Sequence, residues 1–152
     1  FVTKKIVKAL CRISLGLQEK LYLGNLDAKR DWGHANDYVE AMWKILQQKK
    51  PDDFVIASGK QYSVRQFVNL VAKKLKIKLK WSGKGINEKA TDIKSKKIIV
   101  EVDKKYFRPL EVDKLLGDNK KASRVLKWKP KIRVNDLIDE MIIFEKKKII
   151  ND

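Results

Sequence analysis

Two short clusters combine arginine with acidic residues outside any regular hydrophobic spacing: Arg30-Asp31-Trp32-Gly33-His34 and Arg108-Pro109-Leu110-Glu111. An arginine guanidinium matches the oxygens of a phosphate or diphosphate with a planar fork of donors. A carboxylate such as Glu111 can accept hydrogen bonds from both hydroxyls of a ribose. The alternative is structural, for example a salt bridge from Arg30 to Asp31 or Asp37. The residues alone leave both interpretations open.

Other catalytic patterns are missing from the sequence. No glycine-rich phosphate loop leads into a helix, and one cysteine and one histidine are too few for a Cys/His metal site. None of the four tyrosines has a lysine four residues later, the proton-shuttling pair of short-chain dehydrogenases; the residues at that offset are Leu26, Met42, Gln66 and Leu110. A lone histidine such as His34 favours a structural hydrogen-bonding role over that of a base or a ligand. We therefore predict no catalytic residue and no metal site in these 152 residues.

The net charge of +17 raises the question of a nucleic-acid partner. Only six of the 36 basic residues are arginine, and the lysines are scattered through every segment. Proteins that read bases favour the bidentate fork of arginine, and no familiar nucleic-acid-binding motif is present. We interpret the charge as a solvated lysine-rich surface and predict no specific nucleic-acid partner. The alternative is a stand-alone basic nucleic-acid-binding module.

Length and cysteine usage limit the class of protein. A chain of 152 residues is one domain or a large piece of a two-domain enzyme. The single Cys11 cannot form an internal disulfide, which predicts a cytoplasmic protein. No apolar run approaches the roughly 20 residues that span a bilayer, so we predict no membrane association. The chain begins with neither methionine nor a signal peptide, and we therefore expect a fragment.

The helices that must position the two clusters follow from hydrophobic spacing. We expect helices at residues 2–17, 37–46 and 63–75, a short one after residue 118, and a last one from about residue 135. The expected N-caps are Thr3, Asn36 or Asp37, Ser63 and Asp118. Gln66 completes a capping box with Ser63. Residues 146–152 are expected to be a frayed tail.

The expected strands are Leu21–Leu23, residues 77–81 and Ile98–Val102, with residues 82–97 as a polar loop. Residues 54–57 form a continuous apolar run, which predicts a strand buried on both faces of a parallel sheet. Alternating helices and strands predict an α/β fold without an internal domain boundary.

Five stretches carry a resemblance to a known family along almost the whole chain: FVTKKI, LYLGNLDAKRDWGHANDYVEAMWKILQ, DDFVIASGKQYSVRQFV, VDKKYFRPLEVDKLLGD and LKWKP. The R-D-W element with a downstream D-Y-V resembles extended short-chain dehydrogenases that act on nucleotide sugars. The strings LGNLDAKRDWGHA and YFRPLEVD are similar to the GDP-mannose 4,6-dehydratases in particular. The resemblance implies the C-terminal, substrate-binding portion of a Rossmann-type enzyme across residues 1–152, without the N-terminal dinucleotide-binding segment. Residues 54–57 would complete the Rossmann sheet.

The family reaction oxidises the mannose of GDP-D-mannose at C4, eliminates water across C5 and C6, and returns the hydride to C6. The resemblance therefore implies an NADP-dependent lyase that makes GDP-4-dehydro-6-deoxy-D-mannose for GDP-fucose and related deoxysugars, as a homo-oligomer at full length. The family's catalytic residues and NADP fingerprint lie N-terminal to the matched stretches. We thus expect this chain alone to be inactive, and weakly stable or associating through the edge of the 54–57 strand.

The resemblance also implies a role for single residues. Lys5 would lie near the diphosphate of the substrate, Arg30 and Arg108 would bind it, and Glu111 would bind the GDP ribose. Four further residues align with stretches that line the nucleotide pocket: Phe1, Val2, Leu23 and Asn25. A noncatalytic nucleotide-sugar-binding protein is a third possibility.

Overall fold

The computed structural model of the chain describes residues 1–107, 112 and 114–151. The helices in this part are α1 (Val2–Ser14), α2 (Ala35–Leu46), α3 (Val64–Lys74), α4 (Lys120–Val125) and α5 (Val134–Asn151). The strands are β1 (Leu21–Leu23), β2 (Lys29–Arg30), β3 (Tyr62–Ser63), β4 (Leu79–Ser82), β5 (Lys89–Asp92) and β6 (Ile98–Val102). The predicted α/β class is confirmed. None of the helices in these ranges is long and apolar enough to cross a membrane.

The main core lies between α1, α3, α5 and one sheet. Ile6 and Leu10 of α1, one helical turn apart, have no exposed surface. Phe67 and Val71 of α3 share the same spacing and are also fully buried. Each such side chain contributes about 1.5–3 kcal/mol to folding. The capping box of Ser63 and Gln66 begins α3 as predicted.

The sheet has the strand order β1-β6-β5-β4. β1 pairs with β6 in parallel, and the other two pairs are antiparallel. Leu23 at the end of β1 lies opposite Val102 at the end of β6. Because parallel strands end at the same edge of a sheet, the loops that begin at residues 24 and 103 leave the sheet side by side.

A second apolar cluster ties the segment before α5 to α2, and it contains Ala41, Ala122, Leu126 and Trp128. The buried indole of Trp128 donates from Nε1 to the backbone oxygen of Asp37 at 2.8 Å. The Asp37 carboxylate accepts the backbone amides of Lys131 and Ile132 at 3.0 and 2.9 Å. The N–H groups of the turn before α5 therefore find their acceptor in the first turn of α2.

The strand predicted at residues 54–57 is not formed in the chain as described. Val55 is 54% exposed, so the expected burial on both faces is also wrong for this chain. The Asn119 side chain donates to the Ala57 carbonyl at 2.8 Å, but none of the described strands lies alongside. An apolar run becomes a strand only where a partner supplies the ladder of hydrogen bonds.

The loop predicted at residues 82–97 is wrong in its second half, because β5 lies there as an inner strand between β4 and β6. Its alternation is weak in sequence: Ala90 is fully buried, whereas Lys89 is exposed. A small residue among polar ones gives little signal of a strand.

The predicted N-caps of α1 (Thr3), α2 (Asn36 or Asp37) and α4 (Asp118) are wrong, and so is the frayed tail predicted at residues 146–152. The N-caps are Phe1, His34 and Asn119. Thr3 therefore lies inside α1, and the Asp118 carboxylate accepts the Lys120 amide from one position earlier. The segment expected to fray is helical through Asn151.

Candidate functional site

The first turn of α1 meets the loop that follows β6. The ammonium of Lys5 lies 3.4 Å from the ring centroid of Tyr106, which ends the short 3-10 helix Lys104–Tyr106. That loop is joined to the end of β1, since the Asp103 amide donates to the Leu23 carbonyl at 2.9 Å. A Cβ at Gly24 would lie 2.0 Å from the backbone oxygen of Tyr106, so only glycine permits this approach. Three chain segments therefore converge around Lys5.

Arg30 joins β2 to the segment around residue 112. Its Nη1 donates to the backbone oxygen of Lys29 at 2.8 Å and to that of Val112 at 2.7 Å. Lys29 also pairs with Lys114 in a parallel bridge and accepts the Leu115 amide at 3.2 Å. Arg30 is thus fixed beside the residue that follows Glu111. Arg108 and Glu111 themselves lie outside the described residues.

Two neighbours of Arg30 in the first cluster have structural roles. The Asp31 carboxylate accepts the backbone amides of Ser58 and Gly59 at 3.0 and 2.8 Å. Trp32 packs edge-on against Phe67 of the main core, with ring centroids 4.9 Å apart. Asp31 and Trp32 thus serve the fold through backbone amides and aromatic packing, rather than through the salt bridge considered from the sequence.

His34 also serves the fold, which confirms its structural interpretation. Its Nδ1 accepts the Asn36 amide at 3.1 Å and so caps α2. With Nδ1 as acceptor, the proton of the neutral ring lies on Nε2 and is donated to Glu140 at 2.9 Å. The buried ring therefore links α2 to α5.

Gly33 makes room for a half-buried tyrosine. A Cβ at Gly33 would lie 2.3 Å from the Tyr38 hydroxyl. Burial raises the pKa of the Tyr38 phenol, and the charges of Asp31 and Asp37 raise it further. The Tyr38 phenol is therefore neutral where it packs against Gly33.

The four residues that align with the nucleotide pocket have different environments. The Asn25 side-chain oxygen accepts the Asp27 amide at 2.9 Å and closes a turn. Val2 is half-buried against the main core, and Phe1 is exposed. The Leu23 side chain is 2% exposed within the core, so it does not line an open pocket.

The sequence analysis did not predict an ion-pair network formed by Arg65, Glu88 and Asp27. Arg65 of α3 donates from Nε and Nη2 to Glu88 at 2.6 and 2.7 Å, and from Nη1 to Asp27 at 2.6 Å. The hydrogen bonds to Glu88, and then those to Asp27, raise the pKa of Arg65. The partners lie 23 and 38 residues away in sequence, so no local pattern could reveal them. The network fixes the turn that contains Asn25.

Two places in this part of the chain carry groups of the kind that bind anions. Lys5 and Arg30 supply cations, and α1 has neither a side-chain cap nor an acidic residue in its first turn. The free N–H groups of a helix N-terminus bind anions. Across residues 1–107, 112 and 114–151, no three His, Cys, Asp or Glu side chains gather as metal ligands would.

A model of the family described as GDP-mannose 4,6 dehydratase matches residues 1–141. The chain belongs to this family. Within the GDP-mannose 4,6-dehydratases, the Yersinia enterocolitica enzyme is 51% identical and the human one 50%, each over 93% of this chain. The chain spans 41% and 38% of the lengths of these two curated relatives. It therefore corresponds to about two fifths of a GDP-mannose 4,6-dehydratase.

Solved structures agree on the fold of this GDP-mannose 4,6-dehydratase portion. RMD from Pseudomonas aeruginosa, solved with NADPH, has a TM-score of 0.77 at 18% identity, covering 97% of this chain and 43% of that one. UDP-glucose 4-epimerase from Bifidobacterium longum, solved with NAD+ and UDP, has a TM-score of 0.69 at 15% identity, covering 98% and 40%. The likeness confirms that the chain has the fold of part of a larger α/β enzyme.

Proposed function

We propose that this chain is the GDP-binding portion of a GDP-mannose 4,6-dehydratase, the NADP-dependent lyase that converts GDP-D-mannose to GDP-4-dehydro-6-deoxy-D-mannose. The observation that carries the proposal is the family match over residues 1–141. The role of this portion is to hold the nucleotide while the sugar reacts.

Arg30 and Lys5 are the proposed diphosphate ligands. The guanidinium of Arg30 is already oriented by two backbone carbonyls. Such preorganisation lowers the entropy lost when a ligand binds. Lys5 makes no ion pair with a described carboxylate, so its charge is available to an incoming anion. Val2 lies in the first turn of α1 with Lys5 and is proposed to line the nucleotide pocket.

Arg108 and Glu111 are proposed to complete the site, as a second diphosphate ligand and as the acceptor of the ribose hydroxyls. Their neighbours support this assignment. Tyr106 contacts Lys5, and Val112 contacts Arg30. Asn25 follows Gly24 at the same edge of the sheet and is proposed to line the nucleotide pocket.

NADP is proposed as the cofactor of the full-length enzyme. The 152 residues contain no glycine-rich loop to cradle its phosphates, so the residues of this chain do not fit the cofactor by themselves. We assign to them only the binding of the sugar nucleotide. We further propose that the full-length enzyme is a homo-oligomer and works in the cytoplasm, where the buried thiol of Cys11 stays reduced.

Residues 54–57 are proposed to pair with the Rossmann sheet of the full-length enzyme. Val55 is half exposed, and α2 presents further exposed apolar side chains: Val39, Met42, Trp43 and Leu46. Apolar surface of this extent indicates a packing partner. The relatives, more than twice as long as this chain, have the additional residues to supply one.

Titration calorimetry with GDP tests the proposed site. We expect saturable binding by the purified chain, weakened at least about tenfold in Arg30→Ala and in Lys5→Met, since a charge-assisted hydrogen bond contributes about 1.5–3 kcal/mol. Arg12→Ala is the control for charge, because Arg12 lies in the last turn of α1, away from Lys5.

Duplex DNA at two salt concentrations tests the nucleic-acid alternative. Steeply salt-dependent DNA binding without saturable GDP binding would replace our proposal with a basic nucleic-acid-binding module. GDP binding that survives both site substitutions would place the nucleotide elsewhere on the chain.

A further inference from the structure

The ammonium of Lys5 lies directly over the aromatic ring of Tyr106. The Lys5 nitrogen lies 3.4 Å from the ring centroid, well inside the roughly 6 Å over which an ammonium is attracted to an aromatic face. At this distance the ring covers one side of the ammonium. Because an ammonium has three N–H donors and the ring covers only one side of it, donors remain for a ligand.

A lysine needs such a support more than an arginine does. Its ammonium is a point charge on a flexible four-carbon stem, and fixing that stem costs rotamer entropy. Arg30 is held by two backbone carbonyls. In the described part of the chain, the ring of Tyr106 is the group that holds the Lys5 nitrogen.

Tyr106 is itself fixed by the backbone. Its amide donates to the Asp103 carbonyl at 3.0 Å, and the Asp103 carboxylate accepts the Lys105 amide at 2.9 Å. The close approach at Gly24 fixes the carbonyl of Tyr106 against the loop after β1. The ring therefore has a defined place even though 43% of the residue is exposed.

We propose that Tyr106 is a positioning residue that holds the Lys5 ammonium toward the diphosphate through the face of its ring. This inference rests on the proposed GDP site and adds to it a residue that need not touch the nucleotide. The ring face carries the function, and the hydroxyl is dispensable. Phenylalanine should therefore replace Tyr106, whereas leucine, apolar but without a π face, should not.

The geometry is tested first without a ligand. In the carbon–proton spectrum of the chain, the Lys5 ε-methylene protons should be shifted upfield by the ring current. The shift should persist in Tyr106→Phe and disappear in Tyr106→Leu, with unchanged circular dichroism. An ε-methylene signal that is the same in the unsubstituted chain and in Tyr106→Leu would overturn the inference, since it shows that the ring does not face Lys5.

The functional consequence is tested by GDP titration. We expect Tyr106→Leu to weaken GDP binding about two- to fivefold, the range of an exposed cation–π contact, and Tyr106→Phe to leave it unchanged. In a Lys5→Met background, Tyr106→Leu should have no further effect. Equal weakening by phenylalanine and leucine, or an undiminished effect beside Lys5→Met, would overturn the positioning role and leave the GDP site intact.

The two proposals fail in different ways. If Lys5→Met and Arg30→Ala both bind GDP normally, the proposed function fails at this site and the inference fails with it. If those two variants lose affinity while Tyr106→Leu does not, only the inference is overturned.

Discussion

Arg30 donates to the backbone oxygen of Val112 across 82 residues of sequence at 2.7 Å. The guanidinium of Arg30 holds this segment against β2, and the same planar group is the proposed ligand of the diphosphate. A lysine has the charge but not the fork. We expect Arg30→Lys to weaken GDP binding about tenfold, less than Arg30→Ala, when both are measured by calorimetry.

Arg12→Lys is the matched control, since the described partner of the Arg12 side chain is the Leu17 carbonyl in the turn after α1. It should bind GDP like the unsubstituted chain. Full affinity in Arg30→Lys would mean that charge alone is sufficient at residue 30.

Glu88 is expected to stabilise the fold through its ion pair with Arg65. Its buried carboxylate accepts two hydrogen bonds from Arg65. Glu88→Gln removes the charge and leaves a partly buried guanidinium, so we expect a loss of about 1–3 kcal/mol in the free energy of unfolding, measured in urea. Lys120→Gln removes an exposed pair with Asp118 and should leave that free energy unchanged within experimental error. Equal effects of the two substitutions would contradict the importance of burial.

The contrast between Ser63 and Glu88 explains what the sequence could predict. Ser63 caps α3 through a residue three positions away, so the signal and its partner share one short window. Glu88 finds Arg65 only after α3 and the sheet have packed together. Arg30 could be singled out by type and spacing, but its contact with Val112 depends on the same tertiary packing.

Two segments show that strand pairing, like these contacts, depends on residues distant in sequence. Residues 54–57 have the composition of a buried strand, yet pairing depends on neighbours that composition does not specify. β5 has a poor strand composition, yet it pairs on both sides because β4 and β6 flank it. Helices α1 and α3 were predictable because each makes its own hydrogen bonds.

Hydrogen exchange tests the environment of residues 54–57. Among the described residues, the amides of Val55 and Ile56 have no strand partner, so we expect them to exchange within about a factor of ten of the unstructured rate. The amides of Ile99 and Val100, inside the sheet, should exchange at least about a thousandfold more slowly. Strong protection at Val55 in the isolated chain would indicate that it finds a partner by self-association.

The reactivity of Cys11 measures how readily the main core opens. The side chain has no exposed surface, and burial raises the pKa of its thiol above the usual 9.0. We expect iodoacetamide to label Cys11 in the native chain at least about a hundredfold more slowly than in denaturant at pH 8. Comparable rates would mean that the helices open readily.

The same shift predicts a pH dependence. The raised pKa means that the folded state favours the protonated thiol, so this stabilisation is complete below pH 9.0 and is lost as the pH rises through the folded value. The unfolding temperature should therefore fall more between pH 8 and 10 than it does in Cys11→Ala. Parallel curves for the two proteins would contradict the assignment.

Dehydration of GDP-mannose by the chain alone can be measured directly. We expect the 152-residue chain, incubated with GDP-mannose and NADP, to form no dehydrated product detectable by mass spectrometry. The chain has no glycine-rich loop and no tyrosine followed four residues later by lysine. Formation of the 4-keto product would show that other residues perform the chemistry.

Because α1 packs against α5, the first and last helices of the chain are neighbours in the core. During synthesis from the N-terminus, the apolar face of α1 must stay incompletely covered until the residues of α5 have been made, since the contact spans nearly the whole chain. Vectorial synthesis therefore delays the closing of the main core until α5 has been made. A ribosome-bound chain that stops before residue 134 should expose the α1 face to chaperones, whereas one extended past residue 151 should not.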